Sequence, residues 1–133
     1  MDINFKIHHI GLATRSIDKS IVDFEKLGYS KSDLFVDETQ KVKIVFLNKD
    51  QEVMIELVEP ISTDSPILNI LSKTGTSAYH FCYLVHDIEI AIEHLKNFNY
   101  RLIVMPVCAT AFSGKRVCFL YSINTGLIEL LEN

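Results

Sequence analysis

Placing His9 on His80 lays the first half of this chain over the second at an offset of 71 residues. Without a gap, the same offset pairs Ser16 with Asp87, Ile17 with Ile88, Asp18 with Glu89, Leu27 with Phe98, Gly28 with Asn99 and Tyr29 with Tyr100. Further on the offset is 73, and it pairs Phe46-Leu47 with Phe119-Leu120, Ile55-Glu56-Leu57 with Ile128-Glu129-Leu130, and Glu59 with Glu132. A chain that repeats itself this way builds one supersecondary unit twice, and that restricts its fold more than any composition does.

The repeated unit can be read from its local signals. Ser16 and Asp87 are N-cap residues, able to accept from the backbone N–H groups left free where a helix opens. Ile17, Ile21, Val22 and Phe24, and in the second copy Ile88, Ala91, Ile92, Leu95 and Phe98, recur at helical spacing and predict two helices of about ten residues with one apolar stripe each. Gly28 and Asn99 most easily take the left-handed conformation that follows a helix, so both helices are expected to stop at equivalent places. Short β-branched and aromatic runs predict strands at 5–13, 42–47 and 53–58, then at 79–85, 102–107, 116–121 and 127–131. The stretch 60–75 reads as a linker with a short helix at 67–72. The fold expected is α+β: two βαβββ modules related by pseudo-twofold symmetry, forming a curled mixed sheet around a metal cleft. Module 1 covers about residues 1–60, the linker 61–76 and module 2 77–133, all within a single domain, as 133 residues allow.

Each copy carries a His on its first strand and a Glu on its last, His9 with Glu56 and His80 with Glu129. Pseudo-twofold symmetry turns these two pairs into a candidate set of four metal ligands, because residues two apart on a strand share a face. Two carboxylates and two neutral imidazoles bring a charge that a dication cancels. Mixed imidazole and carboxylate donors suit one divalent transition metal ion, Zn, Ni, Co, Mn or Fe(II), better than Ca or Mg. No Cys stands at a matching place in both copies, so the expectation is a site with coordination positions open to substrate. A lone His or Glu on a half-exposed strand is more often a solvated or satisfied residue. Here each Glu has apolar neighbours on both sides, in Met54-Ile55-Glu56-Leu57-Val58 and Leu127-Ile128-Glu129-Leu130-Leu131. His8, His86 and His94 have no matching His in the other copy and are read as surface or core residues.

The remaining composition excludes some functions. Thirteen Lys and Arg against seventeen Asp and Glu give a net charge of −4, and the basic residues are scattered, so no nucleic acid partner is expected. No apolar run is long enough to span a bilayer and no leader precedes the first strand, which points to no membrane and a cytoplasmic location. Cys82, Cys108 and Cys118, an odd number without CxxC spacing, are read as free thiols packed as small core residues. Exposed edge strands and a small core are compatible with a homodimer.

The chain resembles the vicinal oxygen chelate superfamily, which includes glyoxalase I, methylmalonyl-CoA epimerase, antibiotic resistance proteins and extradiol dioxygenases. His8-His9-Ile10-Gly11-Leu12-Ala13 is similar to the family's opening strand with its metal His. Ile55-Glu56-Leu57-Val58-Glu59-Pro60 followed by Asp64-Ser65-Pro66-Ile67 is similar to the epimerase branch, as are Tyr79-His80-Phe81-Cys82 and Val85-His86-Asp87-Ile88-Glu89. Gly126-Leu127-Ile128-Glu129-Leu130 resembles the closing metal Glu. The resemblance implies a metal-dependent enzyme that removes a proton α to a carbonyl, most closely an epimerase of methylmalonyl-CoA or a related acyl thioester. Glu56 and Glu129, related by the pseudo-twofold, are the candidate catalytic carboxylates if one loosens from the metal to serve as base. Glyoxalase I fills its four positions with a similar set, and a non-catalytic drug-binding protein is the alternative of another class. Epimerases commonly carry a Gly-rich basic stretch and a His-Pro after the Phe-Leu pair. This chain instead has Ala109-Thr110-Ala111-Phe112-Ser113-Gly114-Lys115-Arg116 and later Tyr121-Ser122-Ile123, so its substrate pocket is expected to differ there. Lys115 and Arg116 are candidates for CoA phosphates, against the blander reading that both are solvated.

Overall fold

The structure, a computed structural model, describes residues 2–133. In chain order the elements are β1 (Lys6–Ala13), α1 (Ile17–Glu25), β2 (Ser30–Asp37), β3 (Val42–Asn48), β4 (Met54–Pro60), α2 (Ile67–Thr74), β5 (Ser77–Val85), α3 (Ile88–Lys96), β6 (Arg101–Cys108), a short 3₁₀ turn (Thr110–Phe112), β7 (Arg116–Ser122) and β8 (Gly126–Glu132). They form two compact units. One is His9–Tyr79, and the other is His80–Asn133 together with the described residues ahead of His9. The boundary expected from the repeat placed those first residues with module 1. They group with the second unit because Ile3 and Phe5 pack against the core formed around α3.

Both units have the same plan. In the first, the strand order is β2-β3-β4-β1, with β3 antiparallel to β2 and β4, and β1 parallel to β4. In the second it is β6-β7-β8-β5, with the same directions. The α+β class and the βαβββ repeat are as the sequence predicts.

Local chemistry accounts for the helices. The Ser16 and Asp87 side chains accept from the N–H groups of Lys19 at 3.2 Å and Ile90 at 3.0 Å, closing the first turn of α1 and α3 as expected. Gly28 and Asn99 follow the helix ends at positive φ, 98° and 67°. Each helix has nine residues, in line with the expected length. Val22 and Phe98 lie outside the apolar stripes, 53% and 62% exposed, because they point away from the sheets. α2 runs two residues beyond the predicted helix and ends at Gly75.

Strand alternation gives each sheet two distinct faces. In the first unit Val45, Leu47, Ile55 and Leu57 face α1 and pack on Ile17, Ile21 and Phe24. In the second, Cys118, Leu120, Ile128 and Leu130 face α3 and pack on Ile88, Ala91, Ile92 and Leu95. Residues one position away, including Glu56 and Glu129, therefore face the opposite side. Cys82, Cys108 and Cys118 form no disulfide, and Cys108 is exposed on the edge strand β6, which corrects its assignment to the core. Burial, and then the Glu129 carboxylate, push the Cys118 thiol up to about 12, so it packs as a neutral group. No helix among the described residues is long and apolar enough to cross a membrane.

A second pair of carboxylates ties each last strand to its helix. Glu59 Oε1 accepts from the Ile17 N–H at 2.8 Å, and Glu132 Oε2 accepts from the Ile88 N–H at 3.0 Å. Both N–H groups lie in the first helical turn, where an anion also meets the positive end of the helix dipole. Lys43 holds Glu59 at 2.9 Å, and Arg116, 73 positions later, holds Glu132 through Nε at 3.0 Å. Arg116 also grips Glu89 with two bonds of 2.6 and 2.8 Å. Its guanidinium thus ties β7 to β8 and α3 while its side chain stays 37% exposed, and Lys115 is exposed.

The Arg116 guanidinium, followed by the Ile88 N–H, holds the Glu132 carboxyl below its ordinary range. A depressed folded-state pKa stabilises the fold above the unfolded carboxylate value and loses that contribution as pH falls through the folded value. The denaturation midpoint of Glu132→Gln is therefore expected to lie below that of the unmodified protein at pH 7, with the gap closing as pH drops below about 4.5. A gap that stays constant from pH 7 to pH 3 would show that the ionised clamp contributes nothing.

Candidate metal centre

β1 and β4 run parallel with Gly11 opposite Glu56, so His9, two residues before Gly11, shares the face of Glu56. His9 is wholly buried and Glu56 is 3% exposed, and His9 Nε2 lies 3.4 Å from Glu56 Oε1. The second unit repeats this arrangement. β5 and β8 run parallel with Cys82 opposite Glu129, which sets His80 on the Glu129 face. His80 and Glu129 are each 3% exposed, and His80 Nε2 lies 3.1 Å from Glu129 Oε1. The structure thus brings together both predicted in-module pairs.

A carboxylate buried to this degree needs a cationic partner or a metal. The spacing can be tested against the second option. Donors at about 2.1 Å from an ion stand about 3.0 Å apart at right angles and about 3.4 Å apart in a tetrahedron. The two measured separations, 3.4 and 3.1 Å, fall in that interval. Each pair offers one imidazole nitrogen and one carboxylate oxygen, a donor mixture suited to a divalent transition metal. A direct His–Glu ion pair would give similar distances. What favours the metal is that the pair occurs twice, at matching register and with matching burial.

Phe46 and Phe119 match in the repeat, yet nothing in the sequence alone assigns them a role. Phe46 is the cross-strand partner of Glu56, and Phe119 of Glu129. Each ring stands edge-on to its unit's imidazole. His9 and Phe46 have centroids 6.0 Å apart at 64°, and His80 and Phe119 5.4 Å apart at 89°. Beyond the second pair the same sheet face is filled by Cys82, Val117 and Leu131, packed with Phe112. The other histidines sit outside these pairs. His8 stacks edge-on with Phe112 at 5.5 Å, His94 lies between Phe5 and Phe98 at 6.0 and 5.2 Å, and His86 is exposed.

A βαβββ unit built twice, each copy burying one His and one Glu side by side, defines a class of small proteins made of paired modules. This chain belongs to the Glyoxalase/Bleomycin resistance protein/Dioxygenase superfamily, whose sequence signature matches residues 8–119. It is 32% identical over 131 residues to the mitochondrial methylmalonyl-CoA epimerase of Dictyostelium discoideum, covering 96% of this chain and 78% of that one. The crystal structure of hypothetical protein BH1468 from Bacillus halodurans superposes with a TM-score of 0.87 at 32% identity, covering 98% of this chain and 95% of the other. Methylmalonyl-CoA epimerase from Mycobacterium tuberculosis shares the fold with a TM-score of 0.85 at 23% identity, over 96% of this chain and 87% of its own. The likeness to epimerases supports an epimerase-type function.

Proposed function

We propose that His9, Glu56, His80 and Glu129 together hold one divalent transition metal ion, and that the protein epimerises methylmalonyl-CoA or a related acyl thioester. The observation that carries this reading is the doubled pair, two buried imidazoles each with its nitrogen within 3.4 Å of a buried carboxylate oxygen. The likeness to methylmalonyl-CoA epimerases adds the substrate class.

A divalent ion at this site supplies Lewis-acid stabilisation of the negative charge that develops on substrate oxygens when the α-proton leaves. The chain's own residues supply the proton transfers. One carboxylate, Glu56 or Glu129, loosening from the metal, would take the C2 proton and become a carboxylic acid, leaving an enolate. The other, off the metal in its acid form, would return a proton to the opposite face of C2 and then rejoin the metal as a carboxylate, and the configuration inverts.

The test is metal analysis of the purified protein followed by incubation of methylmalonyl-CoA in D₂O. One equivalent of metal and metal-dependent deuterium incorporation at C2 are expected. Metal without exchange, together with turnover of a glutathione hemithioacetal, would replace the epimerase with a glyoxalase. Absence of both metal and exchange would leave a small-molecule binder.

A further inference from the structure

We propose that Phe46 and Phe119 are positioning residues for metal capture, each fixing the ring plane of its unit's histidine so that Nε2 is presented beside the Glu oxygen. The inference rests on the metal reading above. It is carried by a geometry present twice. Within each unit three strands contribute one residue each, a His from the first, a Phe from the third and a Glu from the fourth. The Phe is the cross-strand neighbour of the Glu and stands edge-on to the His.

An imidazole has a broad, roughly two-fold torsion about χ2, so its nitrogen points usefully only if something holds the ring. Hydrogen bonds usually do this for metal-ligating histidines. An aromatic ring at a T-shaped angle does so by shape and by its quadrupole, favouring one ring orientation over those that would collide with its edge or face. The same ring keeps water from the imidazole, which strengthens every electrostatic interaction of the pair.

The two walls are unequal. Phe46 is 6% exposed and is backed by Phe35 at 6.0 Å, so its ring is also part of the core. Phe119 is only half-buried, and Val104, its cross-strand partner on β6, is 38% exposed. Substitution at Phe119 therefore tests positioning with little cost to the fold, whereas Phe46→Leu tests both together.

The experiment uses full-length protein stripped with a chelator and titrated with Co(II), reading the visible d–d bands and the affinity by competition with a second chelator. Phe119→Leu is expected to weaken Co(II) binding about three- to tenfold and to change the band shape, since both depend on imidazole orientation. Phe119→Tyr, which keeps the ring, is expected to restore both. The apo melting temperature of Phe119→Leu should move little. Wild-type Co(II) affinity and spectrum in both Leu variants, even with lowered melting temperatures, would reduce the two rings to ordinary packing and overturn the inference. Failure of the unmodified protein to bind Co(II) would instead overturn the metal reading, and this inference with it.

Discussion

Replacing Glu129 with Gln is expected to slow epimerisation of methylmalonyl-CoA by about 10²- to 10⁴-fold at saturating metal, the usual contribution of a positioned general base. Gln keeps an oxygen donor of the same reach but loses the ability to accept and carry the proton, together with one of the two negative charges offered to the metal, which is why the comparison is made at saturating metal. Glu56→Gln is expected to do the same, because inversion needs one carboxylate on each side of C2. The two variants should differ in a second readout. If each carboxylate serves one face, each variant still washes deuterium into one enantiomer without inverting it, and the favoured enantiomer is opposite in the two. The measurement is epimerisation by coupled assay beside exchange by mass spectrometry for each enantiomer. Unchanged turnover in both variants would remove these carboxylates from the chemistry and leave them as ligands only.

The parts of this protein that were legible in its sequence are those where both copies carry the same signal. Ser16 and Asp87 cap their helices because a side-chain oxygen at that place meets free N–H groups whatever surrounds it. His9 and His80 pair with Glu56 and Glu129 because strand alternation converts sequence spacing into a shared face. The strand β2 escaped notice because Lys31, Ser32 and Asp33 are polar and the register breaks between Lys31 and Leu34, which erases the period of two. Cys108 looked like a core residue among its apolar neighbours, yet an edge strand leaves it exposed. The repeat displayed Glu59 with Glu132 and Phe46 with Phe119 openly. Their roles were hidden because a charge three residues beyond a ligand and a Phe on a buried strand are ordinary in sequence, and only distances to Ile17, Ile88, His9 and His80 give them a purpose. Glu89 and Glu132 on the Arg116 guanidinium are likewise visible only as distances.

Titration of stripped protein with Zn(II) or Co(II) is expected to reach saturation at one ion per chain and to raise the melting temperature by roughly 10 °C at a hundredfold excess over Kd, since such an excess stabilises the folded state by about 2.7 kcal/mol. The more telling result concerns variants. If a single ion draws on both pairs, His9→Ala and His80→Ala each abolish nearly the whole shift, and the double variant loses no more than either alone. If each buried pair binds or neutralises its charge independently, each single variant keeps about half the shift and the stoichiometry approaches two. The electrostatic argument favours the first result. One His–Glu pair supplies a single negative charge and two donors, too little charge to offset a dication and too few ligands to hold one against water. Two pairs supply the charge that a dication cancels and four donors, which makes a duplicated module with one His and one Glu per copy the smallest unit able to build the site.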